Sequence, residues 1–449
     1  MSAPRRHLGA GAALSVLSQA GPLFAATVLS IVLARTIGPS GTGRYALLAT
    51  LVGITSMIVA LGLQSGLTYE VSRRRWSVGR AFRTSYLLAL GLGLTGVVAG
   101  LGVFLLTRDS VFRGIGLGVA LVALASLPAV IAYEYGAAIM LARERYEAYA
   151  AFEISHSSAL LVIGAGLALA FGLSGAVVGL PAAALVGASV GALLLAREAR
   201  RDTLVDSGGS LPRALRFGLQ GWGGNLLQQI NYRFDIVILG GFAGASDVGV
   251  YSVALSLTAV AWVLPQALQT VLFPRVASLD EATVTGELTS DESDEALAKA
   301  IRHGVLLTVP IAVFVSALLL VAVPLLYGGR FDQTKALGFI LLPGVLLLGI
   351  GKILSSAIAG RCHPRLTLYI AAISMPVTLA LYFGLIPVYH AWGAAAASSV
   401  SYGLSALLAL FFFRRVTGIG LARAFVPRAA DVADYGGLLR IARSWRFGR

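Results

Sequence analysis

Apolar residues in this chain run in long blocks separated by short polar clusters, instead of alternating with polar positions. At a rise of about 1.5 Å per residue, roughly 20 residues cross a hydrocarbon layer about 30 Å thick, so each block predicts a transmembrane helix. Six spans are predicted near 8–34, 44–69, 84–107, 114–141, 150–172 and 175–195. Six more follow near 214–241, 247–273, 301–327, 334–358, 366–387 and 391–413. The short alternating segments of a membrane β-barrel are absent. Arg5 and Arg6 before an apolar stretch and Ser18-Gln19-Ala20 have the form of a cleavable signal. The apolar run continues to Ala34, longer than a signal's core, so a retained first helix is expected.

Basic residues orient the spans, because short cytoplasmic loops concentrate lysine and arginine. With the N-terminus inside, cytoplasmic stretches hold 27 basic residues and external loops 6. An N-in, C-in topology follows. The two halves also resemble each other. Pro39-Ser40-Gly41-Thr42-Gly43-Arg44-Tyr45 aligns with Ala245-Ser246-Asp247-Val248-Gly249-Val250-Tyr251, an offset of 206. Phe171-Gly172-Leu173-Ser174-Gly175-Ala176 aligns with Tyr389-His390-Ala391-Trp392-Gly393-Ala394, an offset of 218. Six spans per half is an even number, so the repeat runs parallel, about an axis along the membrane normal. The expected organisation is an N-terminal six-helix lobe over 1–199, a cytoplasmic linker at 200–213, a C-terminal six-helix lobe over 214–415 and a basic cytoplasmic tail at 416–449. The acid-rich loop 275–300 is expected to be solvated. The tail, with Arg440, Arg443, Arg446 and Arg449 beside Leu438, Leu439, Ile441 and Trp445, suits a helix lying on an anionic membrane surface.

Composition sharpens this picture. Hydrophobic residues are 57% and charged residues 12%, against about 25% charged in a soluble domain. The net charge of +14 does not point to nucleic acid, because the basic residues lie between apolar blocks and form no soluble basic face. The single cysteine, Cys362, rules out an internal disulfide, and no Cys/His spacing fits a metal. Gly91-Leu92-Gly93-Leu94-Thr95-Gly96 matches the dinucleotide pattern but lies inside a span with no preceding strand, so it is expected to pack helices. No nucleotide-binding or hydrolase motif appears; neither enzymatic activity nor a cofactor is expected.

Polar groups inside the spans are the candidate site. Span seven carries Asn225, Gln228, Gln229, Asn231, Arg233 and Asp235, including the chain's only two asparagines. Several recur at three-to-four spacing and draw a polar row down one helix face. A charge at the bilayer centre costs roughly 2.5–3.5 kcal/mol and so faces a partner or a wet cavity. Two readings stand: the row lines a hydrated cavity, or Arg233 snorkels and pairs with Asp235. Lys352, inside span ten, suits an anionic ligand or snorkels to the cytoplasmic edge. Arg35 and Arg44 flank the first external hairpin as ligand contacts or interfacial anchors. Glu134 lies about two turns inside span four and, with Asp235, is a candidate for ion coupling. Glu153 and His156 are expected to form a hydrogen-bonded pair. Gln19 and Gln64 are expected to bond between helices.

The run Ala34-Arg35-Thr36-Ile37-Gly38-Pro39-Ser40-Gly41-Thr42-Gly43-Arg44-Tyr45-Ala46 resembles the signature after the first helix of polysaccharide-biosynthesis flippases of the Wzx type. These belong to the multidrug/oligosaccharidyl-lipid/polysaccharide exporter superfamily. Asp235-Ile236-Val237-Ile238-Leu239-Gly240, followed by Val248-Gly249-Val250-Tyr251, is similar to that family's seventh-helix aspartate and downstream Gly-x-Tyr. The resemblance covers roughly 8–415. It implies an all-α, MATE-like, V-shaped pair of six-helix lobes in the inner or plasma membrane, opening alternately to each side. The implied cargo is an oligosaccharide on a polyprenyl (di)phosphate, turned from the cytoplasmic to the outer leaflet. Glycosyltransferases or a polymerase of the same pathway are the implied partners, beside membrane lipids. Arg233, Lys352, Asn225 and Gln229 would meet the diphosphate and sugars. Drug-exporting relatives carry a carboxylate on the first helix where this chain offers only Gln19. A cation-coupled drug or solute antiporter and a non-transporting scaffold of a polysaccharide assembly complex remain as alternatives.

Overall fold

The computed structural model describes residues 5–204, 206, 208–266, 268–269, 276, 289–361, 364–429 and 431, with the side chains of 5–20 and 364 left aside. Gln19, Cys362, Asp280, Glu281, Glu287 and the surface-helix residues of the tail lie outside what is described. Among the described residues there is no strand, as the unbroken apolar blocks require.

The first half is built from α1 (Arg5–Val59), α2 (Leu63–Ser72), α3 (Val78–Thr107), α4 (Leu117–Leu124), α5 (Leu127–Ala142) and α6 (Tyr146–Arg201). The second half holds α7 (Leu211–Phe242), α8 (Ala245–Thr258), α9 (Ser290–Ala322), α10 (Gln333–Gly360), α11 (Pro364–Thr417) and the short α12 (Leu421–Phe425). Among the described residues, eight helical stretches are long and apolar enough to cross a bilayer. α1, α6 and α11 hold two crossings each, and α7, whose polar row keeps it out of that set, is one more. Among the described residues this makes twelve crossings, the number that the apolar blocks predict. The protein is an all-α, multi-pass membrane protein.

The doubled helices turn at single residues. Straight, the 56 residues of α6 would reach about 84 Å, far beyond any bilayer. Gly172 instead takes φ 60°, and the chain folds back so closely that a Cβ on Gly179 would press on the backbone of Gly164. In α11 the same turn falls on His390, at φ 51°. The two turning residues are 218 positions apart, and so are the close approaches of Gly175 to the Leu167 carbonyl and Gly393 to the Leu385 carbonyl. The second repeat alignment is therefore visible as geometry.

Two compact units result. The first comprises Met1–Leu257, Leu319–Gly338 and Met375–Ser398; the second comprises Thr258–Leu318, Phe339–Ser374 and Ser399–Arg449. In the first unit, the hairpins aligned at offset 206 meet backbone to backbone. A Cβ on Gly43 would strike the Ala245 carbonyl, and one on Gly249 would strike the Pro39 carbonyl. Close by, the Arg35 guanidinium donates to the carbonyls of Leu326 at 2.7 Å and Leu325 at 2.6 Å, at the end of a π-turn over Val323–Tyr327. At the other end of the unit, α7 packs on α2 through small residues: Gly62 against Gly218, and Gly66 against the Ala214 carbonyl.

The second unit shows where the acidic segment differs from expectation. Asp291, Glu292, Asp294 and Glu295 are in the first turns of α9, not in a solvated loop. Arg302, 2% exposed, bonds Asp431 at 2.6 Å, Glu295 at 2.8 Å and the Arg423 carbonyl at 2.7 Å. Arg423 reaches Asp291 and Glu295, Arg428 reaches Glu295, and Arg361 reaches Asp294. Buried and half-buried charges need partners, and these acids supply them to a cluster of arginines.

Candidate functional site

The first unit contains an open cavity of about 670 Å³ between α2 and α5, lined also by residues of α6 and α7. α2 contributes Gln64, Ser65, Thr68, Tyr69 and Ser72; α5 contributes Tyr133, Glu134, Ala137, Ala138 and Leu141. Both sets follow the i, i+1, i+4, i+5, i+8 spacing of one helix face. The faces lie in parallel register, offset by 70 residues. The Gln64 amide donates to the Glu134 carboxylate, and the Thr68 hydroxyl to the Ala138 carbonyl at 3.4 Å. Tyr149 and Glu153 from α6 and Phe217 from α7 complete the lining. Phe217 stacks on Tyr69 with ring centres 4.2 Å apart.

The lining is selective in its chemistry. It holds two carboxylates, an amide, hydroxyls and aromatic rings, and no lysine or arginine. Tyr133 lies between Phe152 at 4.7 Å and His156 at 4.3 Å, a three-ring stack that fixes its plane beside the cavity. Glu153 faces the hydroxyls of Tyr133 and Tyr149. The expected Glu153–His156 bond is not formed, because the imidazole is held on the Tyr133 ring instead. Tyr135, two positions on, turns to the opposite face and donates to the Ala60 carbonyl at 3.0 Å.

The other predicted residues separate. Asp235 is fully buried and satisfied: it accepts from the Ile236 amide at 2.7 Å, from the Tyr251 hydroxyl and from Ser398 at 3.3 Å. Tyr382 joins this network through Ser398 at 3.1 Å and the Asn231 carbonyl at 3.3 Å. Asp235 thus knits α7, α8 and both limbs of α11, and it makes no ion pair with Arg233. Asn225, Gln228, Gln229 and Arg233 are exposed along α7, with Gln228 donating to Tyr232 at 3.1 Å. Lys352 belongs to the second unit, where its ammonium sits 4.6 Å from the Trp262 ring centre. Arg35 has its donors on the Leu325 and Leu326 carbonyls, and Arg44 lies against Gly114 with its Nε buried and unpartnered. Of the residues singled out in the sequence, Glu134, Gln64 and Glu153 line the cavity, and of those read as binding or coupling residues Glu134 alone does. Sequence reasoning missed Tyr69, Tyr149 and Phe217, since aromatics near span ends signal interfacial anchoring just as well.

The family model described as "Polysaccharide biosynthesis protein" matches residues 32–336, about two thirds of the chain. The chain belongs to this family. A search of the curated proteins finds no match. Solved structures share the fold of this family member at low identity. One is an inward-facing multidrug resistance MATE family transporter of the MOP superfamily, with TM-score 0.72, 18% identity and coverage of 90% of this chain and 98% of that one. Another is the lipid II flippase MurJ in an inward closed conformation, with TM-score 0.69, 14% identity and coverage of 91% and 89%. A third is a MOP superfamily transporter from Pyrococcus furiosus, with TM-score 0.63, 17% identity and coverage of 92% and 95%. This polysaccharide biosynthesis protein therefore has the MATE-like fold of that superfamily.

Proposed function

We propose that this protein is a flippase of the cell membrane, not an enzyme, that carries a polyprenyl (di)phosphate-linked oligosaccharide from the cytoplasmic to the outer leaflet by alternating access. The observation that carries this reading is the cavity between α2 and α5 in a polysaccharide biosynthesis protein. Sugar rings present apolar C–H faces and a rim of hydroxyls. Tyr69, Tyr133, Tyr149 and Phe217 offer surfaces for the faces, and Gln64, Glu134 and Glu153 accept or donate to the rim. The exposed row Asn225, Gln228 and Gln229 on α7 fits the same purpose, since amides on a membrane helix face water more cheaply than hydrocarbon. The likeness to a lipid II flippase adds support at the level of fold. Glycosyltransferases or a polymerase of the same pathway are the natural partners.

Two half-buried carboxylates among aromatic rings would also suit an organic cation, the substrate of a drug antiporter. Deletion of the gene separates the readings. The flippase reading expects lipid-linked oligosaccharide to accumulate in the inner leaflet, with rescue by the wild type and rescue reduced at least about tenfold for Tyr133→Ala. Normal outer-leaflet glycan in the deletion, together with gained sensitivity to cationic drugs, would overturn it in favour of the antiporter.

A further inference from the structure

We infer that Arg73 and Arg75 form a phosphate-reading mouth on this cavity, so that the cargo enters with its diphosphate at the cytoplasmic surface and its sugars inside. The inference rests on the reading of the cavity as a glycan site, and it adds the direction in which the substrate lies.

Three observations meet at the end of α2. First, both guanidiniums come to the ring of Tyr69, a lining residue, at 5.3 Å for Arg73 and 5.5 Å for Arg75. The intervening Arg74 takes φ 54°, a left-handed conformation that L-residues disfavour, and it is this turn that returns Arg75 to the ring its neighbour already occupies. Strain held at a non-glycine residue is a recurrent mark of functional positions. Second, the two guanidiniums are spare. Nearby cytoplasmic arginines are matched with acids: Arg80 with Asp206 at 3.9 Å, Arg143 with Asp202 at 3.8 Å and Arg145 with Glu198 at 2.9 Å. Among the described residues neither Arg73 nor Arg75 is matched with a carboxylate; Tyr69 is their contact. Third, the cavity behind them carries Glu134 and Glu153 and no basic side chain. A diphosphate drawn inside would meet like charge without a counter-ion, whereas at the mouth it meets two planar forks shaped for phosphate oxygens.

An anionic lipid headgroup has the same phosphate chemistry as the carrier, and the experiment must separate them. The full chain is reconstituted in phosphatidylcholine nanodiscs, and binding of farnesyl diphosphate is compared with binding of farnesol. The wild type is expected to prefer the diphosphate. At roughly tenfold for each guanidinium lost, Arg73→Gln with Arg75→Gln should cut that preference about 100-fold. Lysine at both positions should keep a part of it, and Arg145→Gln, which removes an arginine already matched with Glu198, should keep all of it. Repeating the measurement in discs containing phosphatidylglycerol should change the wild-type preference less than about threefold. An unchanged preference in the double glutamine variant overturns the inference, and so does its abolition by phosphatidylglycerol, which would assign the arginines to the membrane. If that variant keeps the preference while cells still export glycan, the mouth alone is wrong. If cells lacking the protein show normal outer-leaflet glycan, the flippase reading fails, whatever the discs show.

Discussion

At the scale of single residues, the two in-span carboxylates of the candidate set have opposite environments. Asp235 has no exposed surface, and its oxygens are taken by an amide and two hydroxyls. Such a carboxylate is a strut, holding helices in register because each donor would otherwise be stranded. Tyr251→Phe removes one donor to a charge-bearing group and should cost about 1.5–3 kcal/mol, lowering the melting temperature of detergent-purified protein. Unchanged melting would show that the network carries no stability. Glu134 has a single side-chain donor, Gln64, and opens on the cavity. The sequence showed Glu134 as a lone charge between tyrosines and Asp235 at the end of a polar row beside Arg233. It could not rank them, because what distinguishes them is the partner each meets across 16 to 163 positions of chain. Gln64 was legible as an interhelical group and Glu134 as a titratable one. Their pairing depends on the register of α2 against α5, which neither helix encodes alone.

Among the elements, the legible part was large, since crossing number and the offset of the repeat follow from block length and small-residue placement. The doubled helices show what was not legible. The fold-backs fall at the predicted span breaks, 172–175 and 387–391, but that a single residue, Gly172 or His390, makes each turn with no loop between was not readable from the blocks. The offset of 206 turned out to be a contact as well as an alignment. Gly43 and Gly249 are equivalent in the two halves, and each is a glycine because the opposite hairpin's backbone occupies the place of its Cβ. Either glycine changed to alanine should therefore separate the hairpins and lower the melting temperature by several degrees. Both changes together should cost clearly less than the two added, because the first has already broken the shared seam. Strict additivity would mean that the glycines act independently and that the seam is not one element.

For the whole molecule, the acids decide how the chain responds to pH. With a net charge of +14, the protein gains further positive charge on acidification and loses the few carboxylates that hold arginines in place. The arginine cluster of the second unit is the most exposed to this loss. Hydrogen bonding to the Arg302 guanidinium holds the Asp431 carboxyl below the usual carboxylate range. Its folded value is therefore depressed relative to the unfolded chain. The stabilisation is complete above the ordinary carboxylate range and is lost as pH falls through the folded value. Arg302, nearly inaccessible, would then keep Glu295 and a carbonyl as its remaining partners. Hydrogen exchange of the intact protein should show residues 290–303 and 421–429 opening below about pH 4, before the α2–α5 seam of the first unit does. Asp431→Asn should make these segments exchange faster already at neutral pH, and should flatten their pH dependence, because the titrating partner is gone. Equal loss of protection in both units on acidification would instead assign acid sensitivity to net charge alone. The Asn variant decides between the two, since it scarcely alters the molecule's total charge but removes this one anchor.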